Sequence, residues 1–572
     1  MNIKLRLGFV LCFCLVFGAV SAYAQPYFGW AFQYSTAAGS EGTAVALDPA
    51  GNAVVAGHFT GSCDFDPGPG TTTMTAAGNW AASLAKYDAS GGLIWAKRFG
   101  GPLDVIVNDM IIDSVGNIYV TGDFYGTVDL DPGTGTATIV NSGTGPDLFM
   151  AKYDAAGNYV WGFGYTGSSY AAEGNSIEFD PSGNLLVTGR LTGNVDVDPG
   201  PGNVTVGICN FDWFVAKYSN SGSYLSSIAV PSLNFTQDFG LAIAGDLAGN
   251  IYIMGRFEDS LDMDPSAGVQ RIRSAGDFDI FLASYSSTGA FRWAGNIGNA
   301  NSDGARTIKV DAAGNLVLAA GFEGTVDFDF SAGAAPFTSI GANSDMLMAT
   351  YSSTGAFLSA FQIGGTGSEG IGDFQFDGSG NFIIGGSYSG MCDFDPSPSG
   401  TRTFVSSVMS DGFVGAYDPN GVLLWVGATT SNGNESVRSI AVNPLTGDNY
   451  FTGYFWDEIA DFDPTAGVFT LDPSGTYRSG YVAKWTSTFL HAGDALEELG
   501  FRIAPNPSTG RFSLQLDADA AVVVADLMGK VVFSGDFIAG THYLDLGNLA
   551  AGVYLVRVNG KGRKLRIDAA GN

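Results

Sequence analysis

A repeat of 65 to 67 residues runs through most of this 572-residue chain and constrains its fold more than any other feature. Six copies begin with the turn sequence Asp-x-x-Gly-Asn, and a seventh copy is altered. The copies start at Asp48, Asp113, Asp180, Asp246, Asp311, Asp377 and Asn443. An Asp-x-Asp pair follows 16 residues after each intact start and 18 residues after the altered one. The pairs are Asp64/Asp66, Asp129/Asp131, Asp196/Asp198, Asp262/Asp264, Asp327/Asp329, Asp393/Asp395 and Asp461/Asp463. A period of this length predicts one supersecondary unit stacked against its neighbours.

Each repeat carries four strand signals. In the second repeat they cover residues 104–113, 117–124, 147–153 and 159–163, and tight Gly-Asn turns join them in pairs. Seven such units in tandem predict an all-β fold, a seven-bladed β-propeller. The first fourth-strand signal, around Trp30, precedes the first complete repeat, and none follows the last third-strand signal at Trp485. We therefore expect the Trp30 segment to complete the last blade, which leaves no unpaired blade edge.

Two phrases of the second repeat resemble a known family. They are Gly-Asn-Ile-Tyr-Val-Thr-Gly at 116–122 and Asp-Leu-Phe-Met-Ala-Lys-Tyr at 147–153, and they are similar to the seven-bladed β-propeller repeat (SBBP) family. The resemblance covers roughly residues 29–487. It implies a fold and export more than it implies an activity.

Both ends of the chain read as export signals. Residues 1–24 combine a basic start, a short apolar run and Ala22-Tyr23-Ala24, the pattern of a cleaved signal peptide. The apolar run is too short for a membrane anchor, and no later segment is long and apolar enough to span a bilayer. We expect the propeller to cover residues 25–487, a linker 488–500, and a small immunoglobulin-like β-sandwich 501–572.

The turns of the last module resemble those of the C-terminal sorting domain of the type IX (Por) secretion system. The matching residues are Pro505, Asn506, Pro507, Gly510, Asp526, Gly529, Lys530, Gly552 and Tyr554. The resemblance implies the type IX secretion machinery as a partner. It also implies delivery through the outer membrane, with the propeller released or fixed to the outer cell surface. The tail 568–572 departs from the pattern, since such domains usually stop close to their last strand.

Charge is distributed unevenly along the chain. Residues 25–500 contain 16 Lys and Arg against 50 Asp and Glu, a net charge of −34, whereas residues 501–572 carry +2. Nucleic acid is therefore excluded as a partner, because phosphate binding needs a basic face. The negative charge favours cations or basic surfaces as partners. The identity of the extracellular ligand stays open, and a glycan is one candidate.

The Asp-x-Asp pairs allow two interpretations. In an extended strand their carboxylates point the same way, roughly 6.5–7 Å apart, while the apolar middle residue packs inward. The pairs and nearby carbonyls could hold Ca²⁺, which takes six to eight oxygen ligands. Alternatively, the carboxylates accept backbone N–H bonds and cap turns. Presence in all seven repeats favours capping, because an active site needs one special blade.

The sequence gives little support for catalysis. The three histidines, His58, His491 and His542, lie far apart in the chain and cannot be assembled into a triad or a zinc site around His58. Each connection that leads into a first strand also carries an acidic residue. These are Glu41, Asp104, Glu173, Asp238, Asp303, Glu369 and Glu435. Carboxylates are therefore abundant, which leaves a glycan-processing enzyme with a carboxylate pair as an alternative. The sequence favours a non-catalytic exported propeller that binds a ligand or contributes to surface adhesion.

Overall fold

The computed structural model describes residues 25–34, 39–141, 143–165, 171–207, 211–230, 237–456, 458–473 and 478–486 of the repeat region. In the C-terminal part it describes residues 501–504, 511–516, 518–525, 531–546, 549, 552–558 and 561–567. Every regular element within these ranges is a β-strand, so the all-β prediction is confirmed. No helix in these ranges is long and apolar enough to cross a membrane. The predicted signal peptide and the linker lie outside the described residues.

The chain divides into two compact units, Met1–Ser487 and Thr488–Asn572. In the described part of the first, antiparallel strands pair in seven groups of four, here called repeat sheets one to seven. Short pairings join repeat sheets five, six and seven into one 12-stranded sheet. Their first to fourth strands are, in order, Ser40–Leu47, Ala53–Phe59, Ala81–Tyr87, Leu93–Phe99; Val105–Ile112, Ile118–Phe124, Asp147–Tyr153, Tyr159–Gly164; Ala171–Phe179, Leu185–Thr192, Asp212–Tyr218, Tyr224–Ala229; Phe239–Gly245, Ile251–Phe257, Asp279–Tyr285, Phe291–Ile297; Gly304–Val310, Leu316–Phe322, Asp345–Tyr351, Phe357–Gly365; Glu369–Phe376, Phe382–Asp393, Thr403–Tyr417, Leu423–Ala428; and Asn434–Val442, Asp448–Trp456, Ser479–Thr486, Tyr27–Gln33.

The connection between second and third strands forms a short hairpin of its own. In repeat sheet six the hairpin continues the long second and third strands, where Asp393 pairs with Thr403. The other six hairpins are Ser62–Asp64 with Thr73–Thr75, Thr127–Asp129 with Thr138–Val140, Val195–Asp196 with Thr205–Val206, Ser260–Asp262 with Arg271–Arg273, Thr325–Asp327 with Pro336–Thr338, and Ala460–Asp461 with Thr470–Leu471. Every Asp-x-Asp pair therefore begins inside such a hairpin.

The Asp-x-x-Gly-Asn turn is closed by its own side chains. In the second copy, Asp113 Oδ1 accepts the backbone N–H groups of Val115 and Asn117 at 3.0 and 2.8 Å, and Oδ2 accepts the Asn117 amide at 2.7 Å. Gly116 adopts φ +91°, a conformation that residues with a Cβ rarely adopt. These bonds hold the pKa of Asp113 below its usual value, against the opposing effect of partial burial. The turn sequence is thus fixed by backbone geometry.

An aromatic side chain of each third strand ties the hairpin to the core. Tyr153 Oη donates to the carbonyl of Leu130, the middle residue of its Asp-x-Asp segment, at 2.9 Å. Equivalent tyrosines do so in five other repeat sheets, and Trp485 Nε1 donates to Phe462 at 2.9 Å in the seventh. The middle residues are all buried, as predicted. The Asp-x-x-Gly-Asn turn and the Asp-x-Asp segment are therefore both explained by their contribution to the fold.

Tryptophans of the fourth strands pack on the following sheet. Trp161 Nε1 donates to Asn220 O at 3.2 Å, and its ring covers Gly222 in the next sheet's turn. The N-terminal strand makes the same contact from repeat sheet seven to repeat sheet one, where Trp30 Nε1 donates to Ala89 O at 3.1 Å. That strand pairs with Ser479–Thr486, in register Phe28 with Trp485. The predicted pairing of the Trp30 segment with the Trp485 strand is confirmed.

The C-terminal unit contains two antiparallel sheets. One has the order Phe501–Ala504, Arg511–Leu516, Gly540–Asp545, and the other has the order Val531–Phe537, Ala520–Ala525, Gly552–Val558, Lys561–Ile567. Apolar side chains from both sheets, including Phe512, Leu514, Val522, Val556 and Leu565, form one buried cluster. Alternation of apolar residues along these strands accounts for the layer between the sheets.

Candidate functional site

The Asp-x-Asp carboxylates lie in separate hairpins and accept backbone hydrogen bonds. Asp129 Oδ1 accepts the N–H groups of Asp131 and Ala137 at 3.1 and 2.8 Å, and Asp131 Oδ1 accepts that of Gly133 at 2.7 Å. The other six pairs repeat this pattern. The backbone of Asp129 also exchanges two 3.1 Å bonds with Gly100 of the preceding repeat sheet. One oxygen of each carboxylate is therefore already engaged.

The second aspartate of every pair is folded back into its own loop, which corrects the expectation that both carboxylates of a pair point the same way. The strand ends at the first aspartate of each pair, so the alternation of an extended strand does not reach the second. Each second aspartate accepts the N–H group two residues later, and its Oδ2 lies so close to a loop glycine that a Cβ there would collide with it. These residues are Asp66, Asp131, Asp198, Asp264, Asp329, Asp395 and Asp463.

Calcium at these pairs remains an expectation with particular requirements. Across the described ranges, no three His, Cys, Asp or Glu side chains come together in a way that could hold a metal ion. A Ca²⁺ ion at one pair would therefore have to draw its remaining oxygens from carbonyls and water. This applies to all fourteen predicted ligands: Asp64 and Asp66, Asp129 and Asp131, Asp196 and Asp198, Asp262 and Asp264, Asp327 and Asp329, Asp393 and Asp395, and Asp461 and Asp463.

The residues of the predicted sorting motif are mostly outside the described ranges. This applies to Pro505, Asn506, Pro507, Gly510, Asp526, Gly529 and Lys530. Gly552 begins the strand Gly552–Val558, and the ring of Tyr554 is buried in the apolar cluster of the C-terminal unit. Tyr554 is thus a core residue, and it is the one side chain of the sorting motif within the described ranges.

A cavity of about 690 Å³, here called the central channel, is lined by the first strands of all seven repeat sheets. Each first strand carries a β-bulge at the same place, which turns one extra side chain toward the channel. The bulged residues are Thr43, Asn108, Asn175, Leu241, Arg306, Gly372 and Arg438, and all seven line the cavity. A second cavity of about 400 Å³, the channel mouth, shares five of them and adds Glu41, His58, Ser387 and Ser436.

Just outside the bulges, one position of each second strand varies widely, with six residue types in seven repeats. It is occupied by His58, Asp123, Arg190, Arg256, Gly321, Ser387 and Tyr454. Elsewhere the repeats preserve their turns, hairpins and core residues. Repeats that must stack alike can differ freely only where a side chain serves something other than the stack. This ring therefore marks the candidate functional surface.

Two arginines of this ring each lie against two aromatic rings. Arg256 lies 4.5 Å from the ring centroid of Phe278 and 4.4 Å from that of Phe239. Arg190 continues the stack, 4.9 Å from Phe239 and 5.1 Å from Phe211. Phe211 has φ +66°, an unusual conformation for a bulky residue, and it completes the stack. The stack holds two guanidinium groups in fixed planes.

A second stack lies in repeat sheet seven. Arg478 lies 4.4 Å from the ring of Tyr454 and 5.8 Å from that of Trp456, while Arg438 lies 5.2 Å from Tyr454. Both arginines bind the same carboxylate, Glu41 of repeat sheet one, at 3.0 Å. Their charges, with burial as the larger cause, lower the pKa of His58 despite the opposing charge of Glu41.

Arg306 is exposed within the channel, between the two stacks. The described residues offer neither Arg306 nor Arg256 an ion-pair partner, whereas Arg190 pairs with Glu173. Desolvation inside the channel, and then the charges of Arg438 and Arg256, lower the pKa of Arg306. Burial, followed by the charge of Arg190, also lowers that of Arg256. Five of the 16 basic residues of the repeat region thus lie in or near the channel mouth, and two of them, Arg306 and Arg438, line its cavity.

Acidic residues at the starts of the first strands lie beneath this surface. Glu369 is 3% exposed and lies within hydrogen-bonding distance of Asp345, which is fully buried. Neither oxygen of Glu369, and not Oδ1 of Asp345, has a hydrogen-bond donor among the described residues. Burial and the neighbouring carboxylate raise the pKa of Glu369 to about 8. Glu435 beside Asp411 repeats the arrangement, also with a pKa of about 8. These pairs are out of reach of a ligand in the channel.

Deeper in the channel, three carboxylates surround one lysine. Lys309 Nζ lies 3.7 Å from Asp373 Oδ1, and the charges of Asp373, Glu178 and Asp109 raise its pKa despite burial. Asp109 Oδ2 accepts the Ile177 N–H of the next repeat sheet at 2.9 Å, and Asp373 Oδ2 accepts that of Ile440 at 3.1 Å. Two of the carboxylates therefore serve the contacts between sheets.

The arginines in and near the channel mouth were not predicted from the sequence. The predicted site consisted of carboxylates at positions that every repeat shares, whereas these arginines occupy positions at which the repeats differ. One signal was available: aligning second strands by their Gly-x-Phe or similar ends places Arg190 and Arg256 in equivalent columns. The bulge that turns Arg306 and Arg438 toward the channel has no compositional signature.

Two family models match parts of the chain. Residues 94–123 match the beta-propeller repeat (SBBP), and residues 502–567 match the secretion system C-terminal sorting domain (Por_Secre_tail). Both resemblances drawn from the sequence are confirmed. The sorting domain indicates a secreted protein at or attached to the cell surface, and it implies interaction with the type IX secretion machinery.

Similar proteins match the repeat region weakly. An uncharacterized WD repeat-containing protein of Acanthamoeba polyphaga mimivirus is 23% identical over 510 residues, covering 76% of this chain and 36% of that protein. Regulatory protein FlaEY of Caulobacter vibrioides is 27% identical over 177 residues, covering 30% and 17%. A solved ulvan lyase, a polysaccharide lyase, has a TM-score of 0.35 at 10% identity, covering 78% of this chain and 97% of its own. The chain spans well under half of either curated relative.

Proposed function

We propose that this protein is an exported, non-catalytic, seven-bladed β-propeller that binds an extracellular ligand at its channel mouth and contributes to surface adhesion. The seven repeat sheets are its blades. Contacts from the seventh to the first support a closed ring: Trp30 with Ala89, Ser439 Oγ accepting Val45 N–H at 3.2 Å, and Arg438 with Glu41.

The remaining segments serve delivery. Residues 1–24 are the signal peptide, the propeller extends over 25–487, residues 488–500 are a linker, and the two-sheet module at 501–572 is an immunoglobulin-like sorting sandwich. Export through the inner membrane precedes recognition of this sandwich by the type IX machinery. The two sheets and shared apolar core of residues 501–567 support the sandwich assignment.

The observation that carries the binding role is the ring of seven positions with six different residue types, two of which, His58 and Ser387, line the channel mouth. If these positions had only a structural role, each repeat would carry similar residues there, as it does in its turns and hairpins. Clustered charged and aromatic groups around a concavity are typical of ligand sites. Buried carboxyl pairs such as Asp345 and Glu369 cannot touch a substrate there, so the geometry favours binding over the alternative of glycan processing.

A glycan-array screen of the secreted protein, with and without Ca²⁺, tests this proposal. We expect a small set of bound glycans, and we expect Arg306→Ser to reduce their signal while Arg273→Ser, on an outer hairpin, leaves it unchanged. Binding insensitive to Arg306→Ser would place the site elsewhere. Release of reducing ends from a bound glycan would favour the enzyme.

A further inference from the structure

We propose that the channel mouth recognises an acidic carbohydrate, whose carboxylate or sulfate group binds the guanidinium groups of Arg256 and Arg306. This inference rests on the proposed binding function and names the chemistry of its ligand. The five basic residues in or near the mouth are all arginines, and a planar guanidinium matches the two oxygens of such an anion better than an ammonium does.

The arginine cluster is unfavourable without a bound anion, and it stands out in a chain that is otherwise strongly negative. The repeat region carries a net charge of −34 and so offers carboxylates almost everywhere. Yet no carboxylate of the described residues lies within ion-pair distance of Arg256 or Arg306, although the charges of Glu258 and Asp277 reach Arg256, and Arg256 Nε is buried without an acceptor. Adjacent unpaired guanidinium groups repel each other, and a bound anion would remove that repulsion.

The aromatic stacks make the arginines ready to bind. Phe239 and Phe278 contact the Arg256 guanidinium at 4.4 and 4.5 Å on two adjacent sides, with their own ring centroids 6.3 Å apart, so part of its side-chain freedom is already lost before binding. Glu41 holds Arg438 and Arg478 across the channel. Those two arginines are neutralised in part, and the free anion-binding capacity lies on the side of Arg256 and Arg306.

The uncharged lining favours a sugar over an acidic peptide. Thr43, Asn108, Ser387 and Ser436 line the same 400 Å³ cavity and supply hydroxyl and amide groups suited to the ring hydroxyls of a carbohydrate. The negative field of the surrounding surface repels long polyanions. A short oligosaccharide or a chain end with few anionic groups fits both conditions.

Titration calorimetry with four matched probes tests the inference on the full mature chain. The probes are trigalacturonate, its methyl ester, a sulfated trisaccharide and triglutamate. We expect trigalacturonate or the sulfated trisaccharide to bind, and comparing these two titrations distinguishes carboxylate from sulfate. The methyl ester should bind at least about tenfold more weakly. Preference for triglutamate would overturn the carbohydrate assignment. Equal binding of acid and ester would overturn the anionic one while leaving a binding propeller in place.

Two variants locate the site. Arg306→Gln keeps the size and polarity of an exposed side chain, and it should weaken binding of the acidic sugar about tenfold or more without changing the melting temperature. Arg256→Gln should do the same, and its melting temperature reports any loss of the stack. Arg273→Gln is the control on an outer hairpin. Unchanged affinity of Arg306→Gln would overturn the proposal.

Discussion

Two carboxyl groups buried side by side repel each other strongly when both are ionised. Asp345 with Glu369 and Asp411 with Glu435 meet this condition, and burial raises the pKa of all four groups. Asp147 and Asp303 also have pKa values raised to about 7 by burial. The folded protein therefore holds protons that the unfolded chain has released by neutral pH.

Stability should fall as pH rises from about 5 to about 8.5. A carboxyl whose folded pKa is raised contributes stability that is fully present below its unfolded pKa and is lost as pH passes the folded value. Thermal unfolding at the two pH values measures the slope. We expect Glu369→Gln to raise the melting temperature at pH 8.5 and to change it little at pH 5.

The control is Glu173→Gln, near the start of the first strand of repeat sheet three, where the carboxylate pairs with Arg190. This change should not reduce the pH dependence. A wild-type melting temperature that rises steadily through pH 8.5 would contradict the shared-proton interpretation.

Removing one buried hydroxyl tests the link between hairpin and core. Tyr153→Phe should lower the free energy of unfolding by about 1–2 kcal/mol, because the Leu130 carbonyl is left buried without its donor. Urea unfolding measures the change. Tyr27→Phe, at a largely exposed ring, should change it by less than about 0.5 kcal/mol. Equal effects of the two changes would show that this bond adds no stability.

At the scale of elements, the Asp-x-Asp hairpins show which structural features could be predicted from the sequence and which could not. Alternation predicted that Leu130 packs inward, and the buried middle residues agree. Spacing alone could not show that Asp129 bonds to Ala137 eight residues later, or that Asp131 turns back to Gly133, because the short hairpin has no strong strand signal. Nor could it show the bulges, since one extra residue leaves composition unchanged.

The double change Asp129→Asn with Asp131→Asn tests capping against calcium. Asn keeps a carbonyl oxygen that accepts the same N–H groups, so we expect a nearly neutral effect, or a small gain from lower repulsion. Melting temperatures with millimolar Ca²⁺ and with Mg²⁺ at equal ionic strength provide the measurement. A shift specific to Ca²⁺ that shrinks in the variant would establish the metal site.

At the scale of the molecule, the period predicted an all-β chain of successive antiparallel units, because each repeat must bury its faces against its neighbours. It also predicted the N-terminal strand's partner. The ligand site could not be predicted in this way, because Arg190, Arg256, Arg306 and Arg438 come from four repeats. Their convergence depends on the arrangement of the first and second strands around one channel.

Export should depend on the last module. Deleting residues 501–572 should leave the repeat region folded but retained in the periplasm, because the sorting domain that the secretion machinery recognises is gone. Immunoblots of periplasm and culture medium, with circular dichroism of the retained protein, measure both parts. Normal levels of the truncated protein outside the cell would contradict this expectation.

Closure of the ring gives the last prediction. A chain that starts at residue 35 lacks the strand Tyr27–Gln33, so Ser479–Thr486 presents an unpaired edge and the Trp30 contact to Ala89 is lost. Phe32, which is buried on that strand, alone contributes about 1.5–3 kcal/mol by burial. We expect a lower melting temperature and self-association through the open edge, measured by calorimetry and size-exclusion chromatography.

A peptide of residues 25–34 added in trans should pair with the open edge and restore both the melting temperature and the monomer. The same peptide with Trp30→Ala and Phe32→Ala keeps the backbone donors and acceptors but removes the two rings that pack on repeat sheet one, so it should restore little. If the truncated chain is monomeric and as stable as the intact one, the N-terminal strand does not close the ring. If both peptides restore it equally, backbone pairing alone closes the ring and the contacts of Trp30 and Phe32 add nothing.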